Sequence, residues 1–222
     1  MRPSRSIIIA CTLLAAAACT QPAKQAPRPV VTAPPETKAD IWQAVASPAD
    51  LNRIRRVATG WSSGLTEARN AGFREAIRVE GKLLDPDIAL PRPAPTPGSY
   101  ECRKVTLGRE GRKGPAFQKF QPFFCYVEVE GPLFTIVKQT GSQRPAGRLW
   151  EDDLPNRLIF LGTLALGSEE EARAYGDDPK RDMAGIFERI APFQWRLVIP
   201  YPQSGARLDV FELTPVDEQP KE

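Results

Sequence analysis

Histidine is absent from all 222 residues. Without an imidazole there is no Ser-His-Asp or Cys-His nucleophile pair and no His metal ligand, and the commonest general base near neutral pH is missing. Carboxylate, Lys, Tyr or Ser-Lys chemistry stays available. A long hydrophobic run is lacking too. The apolar stretch Ile7 to Ala18 has 12 residues, short of the roughly 20 that a helix needs to cross a bilayer core. Excess charge of one sign is lacking as well. The formal net charge is +3, and Arg2 and Arg5 belong to the N-terminal leader, so the rest is close to neutral. That balance gives no global pull toward nucleic acid. Metal motifs are thin. Asp177-Asp178 and Glu151-Asp152-Asp153 lack the spaced oxygen ligands of a calcium loop. Gly108, Gly111 and Gly114 are not closed by the Gly-Lys-Ser/Thr of a phosphate loop. No metal or cofactor is expected, and no motif reaches a catalytic assignment.

What is present at the start is an export signal. Arg2 and Arg5 precede the apolar run, which ends in small residues before Cys19, the layout of a cleaved secretory leader over residues 1–18. Ala17, Ala18 and Cys19 resemble the site of a bacterial lipoprotein signal, in which the Cys receives a diacylglyceryl group and becomes the new N-terminus. Ala16 stands where that family usually has Leu, so cleavage after Ala16-Ala17-Ala18 without a lipid is the alternative. Thr20 rather than Asp after the Cys implies, by the same resemblance, the outer membrane. Residues 19–39 are Pro-rich and poor in apolar residues, which suits an extended tether or a disordered N-terminus. Residues 216–222 read as a disordered tail.

Cys11 falls in the leader and Cys19 is the lipid candidate, which leaves Cys102 and Cys125. A pair in an oxidising compartment is expected to form a disulfide. The spacing is far from Cys-x-x-Cys and no His is at hand to complete a metal site.

Residues 40–84 carry a helical pattern. Ser47 can cap, with Pro48 at the first helical position and Asp50 three residues after the cap. Leu51, Ile54, Ala58, Trp61 and Leu65 form one apolar stripe, with Arg53, Arg55 and Arg56 off it as a solvated face. Gly72 is a plausible stop, and a second short helix carries Phe73, Ala76, Ile77 and Glu80. Residues 85–98 hold five prolines in 14 positions, a linker that no helix or inner strand survives.

From Ser99 the period changes to two. Strands are expected at 99–107, 123–130, 133–139, 147–150, 157–164, 185–190, 195–201 and 208–213. Ser168 to Glu171 reads as a capping box for a short helix between strands. The fold class is therefore α+β: an N-terminal helical segment followed, over residues 99–215, by a mainly antiparallel β-barrel or sandwich of seven to eight strands. The helices are expected on the outside of this shell or capping one end.

Leu84-Asp85-Pro86, Gly98-x-Tyr100-x-Cys102-Arg103, Phe124-Cys125, Thr140-Gly-Ser-Gln-Arg-Pro-x-Gly147, Phe160-Leu161-Gly162, Tyr175-Gly176 and Arg181-Asp182-Met183-x-Gly185 resemble an uncharacterised bacterial family of secreted or lipid-anchored proteins, a domain of unknown function. The likeness spans roughly residues 40–215 and implies no activity. The strand count is similar, in architecture only, to calycin-type small barrels.

Candidate site residues are Ser142, Gln143 and Arg144, which offer a hydroxyl, an amide and a guanidinium in one Gly/Pro-held segment, and Tyr175, Arg181 and Asp182, which could face the same rim. Each has a plainer reading: a turn in which Arg144 pairs with a carboxylate, and a salt-bridged or capping loop. Residues 103–119 carry six Lys or Arg against one Glu, a solvated excursion or a contact for acidic surfaces. Ser142 and Lys138 lie four apart, a weak Ser-Lys signal. The leading expectation is a non-catalytic envelope module that binds a protein partner or small ligand. The alternative is a hydrolase using carboxylates such as Asp178 and Asp182.

Overall fold

The computed structural model describes residues 35–109, 113–141, 143–167, 169 and 172–216. The leader, Cys19 and most of the tether lie outside these residues. So do nearly all of the 216–222 tail and the capping box at Ser168 to Glu171.

Four helices open the chain: α1 (Lys38–Val45), α2 (Pro48–Arg55), α3 (Val57–Asn70) and α4 (Arg74–Glu80), followed by a 3-10 turn at Gly81–Leu84. Ser47 caps α2 as its sequence implies, its Oγ accepting the Asp50 N–H at 3.2 Å. Thr37 and Asp40 make a reciprocal capping box for α1. Gly72 stops α3 with φ 93°.

The single stripe from Leu51 to Leu65 is the expectation that fails. The chain breaks at Arg56, Ala58 is exposed and Leu51 only half-buried. A straight helix from Pro48 to Asn70 would be about 35 Å long and could not follow a curved barrel wall. The break lets α2 press Ile54 against Ile159, Leu161, Ala184 and Ile186, while α3 presses Trp61 and Leu65 against Val105, Leu107, Leu208 and Val210. The arginines are not a plain solvated face either. Arg53 pairs with the buried Asp50 at 2.5 Å, and Arg56 lies over the Tyr201 ring, 3.9 Å from its centroid.

The strands are β1 (Gly98–Leu107), β2 (Phe117–Lys119), β3 (Phe123–Glu130), β4 (Leu133–Lys138), β5 (Gln143–Glu151), β6 (Leu158–Leu166), β7 (Asp182–Ala191), β8 (Gln194–Pro200) and β9 (Leu208–Pro215). Eight of them, all but β2, pair antiparallel in chain order, and β9 returns to pair with β1. The shell is thus a closed up-and-down barrel rather than a sandwich, in keeping with the calycin likeness. The helices lie on its outside.

β2 and β3 are two pieces of one return path beside β1. Val105 opposes Lys119 and Cys102 opposes Phe123, so three steps on β1 span four on the return. The extra residue falls at the Phe120–Pro122 break, where Pro has no ladder hydrogen to give.

Two-residue alternation sorts the side chains. Tyr100, Cys102, Val127, Leu149, Phe160, Phe187, Trp195, Leu197 and Leu213 fill one end of the barrel, with Tyr100 and Trp195 edge to face at 5.9 Å. Two residues past Phe160 on β6, Gly162 faces Gly147 of β5. A Cβ on either would run into the Phe160 ring. The expected disulfide is formed: Cys102 on β1 and Cys125 on β3, Cα atoms 6.0 Å apart, staple these strands from the inside.

Candidate functional site

At the other end the barrel stays open. The ends of β1, β4, β6 and β8 and the starts of β3, β5, β7 and β9 frame a cavity of about 640 Å³. Its walls are mostly apolar: Phe120, Pro122, Phe123, Pro145, Leu164, Met183, Ile199, Pro202 and Phe211. Strand phase puts polar residues among them. On β1 the inward row that begins with Tyr100 and Cys102 continues with Lys104 and Thr106. On β9 the row of Leu213 and Phe211 continues with Asp209.

Thr106 and Asp209 are buried, and the half-buried Lys104 joins them. The Thr106 hydroxyl donates to Asp209 at 2.6 Å. The Lys104 ammonium is 3.4 Å from the other Asp209 oxygen and 4.3 Å from the Phe120 ring centroid. Lys138, at the end of β4, points its ammonium at the Phe123 ring, 4.1 Å from the centroid. Burial pushes the Lys138 ammonium below the ordinary lysine range, and the positive charges of Lys104 and Arg144 push it further.

Gln143, Arg181 and Asp182 line this cavity. Arg181 is held by Glu169 at 2.6 Å and Asp178 at 3.3 Å. Burial raises the Asp182 carboxyl above its ordinary value, helped by the charges of Asp50 and Asp178, while the Gly176 N–H and Arg53 act against it. Asp182 also lends its main-chain carbonyl to Arg53 at 3.3 Å.

Two candidates go elsewhere, and a third, Ser142, lies outside the described residues. Arg144 is on the outward phase of β5 and pairs with no carboxylate among the described residues; it donates to the carbonyls of Gly141 at 3.2 Å, Gly167 at 2.6 Å and Glu169, stitching two loops together. The segment expected as a turn is already strand from Gln143. The Tyr175 hydroxyl donates to Asp50 at 2.6 Å and accepts the Ser47 N–H at 2.9 Å. It pins the start of α2, and burial and the Asp50 bond push the phenol up to about 12.

The acidic and basic runs also have structural work. Glu151 pairs with Lys38, Asp152 accepts the Trp42 indole N–H at 3.0 Å, and Asp153 accepts the Ala39 N–H at 3.2 Å, so this acidic triplet is the seat of α1. In the basic stretch, Arg103 and Lys119 both clasp the buried Glu80 of α4, at 2.5 and 2.7 Å. Together with the inward Lys104, half of its cations are engaged in ion pairs.

Lys104, Thr106 and Asp209 escaped the reading of motifs. Their signal was phase: polar residues on the apolar row of an alternating strand. Asp178 does not line the cavity; it pairs with Arg181 and Arg173. Of the two carboxylates named for a hydrolase, Asp182 alone reaches the opening.

Residues 42–213 match the model of one family, described as a domain of unknown function (DUF4893). No curated protein and no solved structure matches the chain.

Proposed function

The chain belongs to the DUF4893 family, a domain of unknown function, and we propose that it is a non-catalytic binding module that holds a small ligand in the mouth of its barrel. The observation that carries this reading is the division of the barrel interior. One end is packed solid around Tyr100 and Trp195, and the other is a cavity of about 640 Å³ in which an apolar surface is set among polar and charged side chains. That size and lining suit a small organic molecule. A protein partner would need a broad face rather than a cup. The hydrolase reading is the weaker one, because Asp178 is turned away into ion pairs.

We further propose that the module works in a bacterial envelope, held by a lipid on Cys19 at the outer membrane. The leader residues before Cys19 support this, and so does a disulfide, which persists in oxidising compartments. Two experiments test the pair of proposals. Native mass spectrometry of the purified protein against a library of small organic compounds should find retained ligands, and a library that leaves its mass unchanged would count against the cup. Cys19→Ala should release the protein from membranes on fractionation; unchanged membrane association would end the lipid anchor.

A further inference from the structure

The charges around the cavity are unevenly paired. Among its described lining residues are four cations, Arg53, Lys104, Lys138 and Arg181, and two carboxylates, Asp182 and Asp209. Arg53 is paired with Asp50, Lys104 with Asp209, and Arg181 with Glu169 and Asp178. Lys138 has no such partner among the described residues. Its ammonium is partly withdrawn from water and set against the Phe123 ring. The ring's negative face offsets part of that lost hydration. It does not replace a counter-anion, and a buried charge without one is costly.

We propose that the cavity selects an amphipathic organic anion, with one carboxylate or sulfonate head and a body of acyl or aromatic carbon, and that Lys138 pairs with the head. This rests on the small-ligand reading and narrows it. The head would supply the acceptor that Lys138 lacks, as a charge-assisted hydrogen bond beside a partly desolvated ammonium. The body would lie against Phe123, Phe211, Leu164 and Met183, which face the same space. The depressed basicity of Lys138 is what an ammonium shows when its surroundings hold positive charge and little water. An entering anion offsets the positive charge and takes the place of the missing water as acceptor.

The test uses two fluorescent probes that share a fused aromatic amine and differ by one charged group, anilinonaphthalene sulfonate and the neutral N-phenylnaphthylamine. Both are titrated into the full chain. The sulfonate should bind at least about ten-fold more tightly, the difference a single charge-assisted contact supplies. Lys138→Met should remove that preference and leave the neutral probe within about two-fold, and Lys138→Arg should keep it. Lys180→Gln, on the exposed loop before β7, should change neither affinity, which separates the cavity from general surface attraction. Circular dichroism matched to the parent shows that each variant is folded, and the comparison of the two probes on the unaltered chain stands without any variant. Equal affinity for the two probes, or a sulfonate preference that survives Lys138→Met, overturns the anion proposal and leaves the cup intact. Failure of both probes to bind overturns the cup itself.

Discussion

Arg196 and Glu188 face each other across β8 and β7 on the outside of the barrel, and the Arg196 Nε donates to the Glu188 carboxylate at 2.7 Å. The same guanidinium, fully buried, donates to the carbonyls of Leu83 at 3.0 Å and Asp85 at 2.6 Å. It also lies 5.0 Å from the Trp61 ring centroid. One cation therefore fastens the 3-10 turn, the start of the Pro-rich segment and α3 to the barrel. Arg196→Met would strand a largely buried carboxylate and at least two carbonyls. The expected loss is about 3–5 kcal/mol, read from urea denaturation. A loss under about 1 kcal/mol, the range of a surface pair, would remove this role.

The glycines at 147 and 162 make a second prediction. A Cβ at Gly162 would meet the Phe160 Cζ at 2.5 Å and also the Ala146 carbonyl oxygen, which is backbone and cannot step aside. Gly162→Ala should cost at least about 1–3 kcal/mol through overpacking. Adding Phe160→Leu should recover only the ring part of that cost. Full recovery in the double variant, measured by thermal unfolding, would show that the backbone contact is harmless.

How much of this was legible follows from where each signal lives. Ser47-Pro48-Asp50 is a local instruction and the cap forms from it. Trp195, Leu197 and Ile199 alternate because one side of β8 faces the barrel interior, and that too is local. Arg56 breaks the helical stripe for a reason no local window holds, the curvature of a wall built more than forty residues later. Pro145 disguised the start of β5 as a turn. It lies beyond the last residue of β5 that β4 pairs, Ala146, so no ladder donor is needed there. The mouth was half legible: Gln143, Arg181 and Asp182 stood out as polar loop residues, whereas Lys104 and Asp209 meet only once the barrel closes β9 onto β1.

Asp152 and Asp182 should respond to pH with opposite signs. Burial pushes the Asp152 carboxyl up, but the bonds from Arg157 and Trp42 outweigh it and hold the group below its usual value. Its stabilisation is full above the unfolded value of 3.8 and is lost as pH falls through the lower folded value. Asp182 has a raised folded value, so the native state binds that proton more tightly. Its ionisation is a cost that sets in as pH rises from 3.8 through the folded value and is complete near neutrality. Asp152→Asn should therefore destabilise by about 1–3 kcal/mol near pH 7, and by less near pH 3. Asp182→Asn, which keeps an acceptor for the Gly176 N–H, should be neutral or stabilising near pH 7 and without benefit near pH 3. Urea melts at the two pH values decide it. The same sign for both variants near pH 7 would contradict the account.

The disulfide sits beside an interrupted seam of the barrel. β1 pairs with β9 through eight residue pairs, but with β3 through only five, from Gly98 to Cys102, before the ladder breaks at Phe120–Pro122. Cys102 opposes Phe123 and Cys125 opposes Tyr100, so the covalent bond runs diagonally across the last intact pairs and keeps the break from opening further. It closes a loop between positions 102 and 125, worth about 3 kcal/mol in the chain-entropy view. A chain beginning at Glu36 should give no titratable thiol before reduction, and two after denaturation and reduction. Cys102→Ser with Cys125→Ser should lose about 3 kcal/mol. Both sulfurs are buried in the barrel, so alkylation of the reduced protein should follow its unfolding rate rather than the concentration of the reagent. Two thiols in the unreduced protein would remove the bond. Rapid alkylation without unfolding would place the cysteines outside the core.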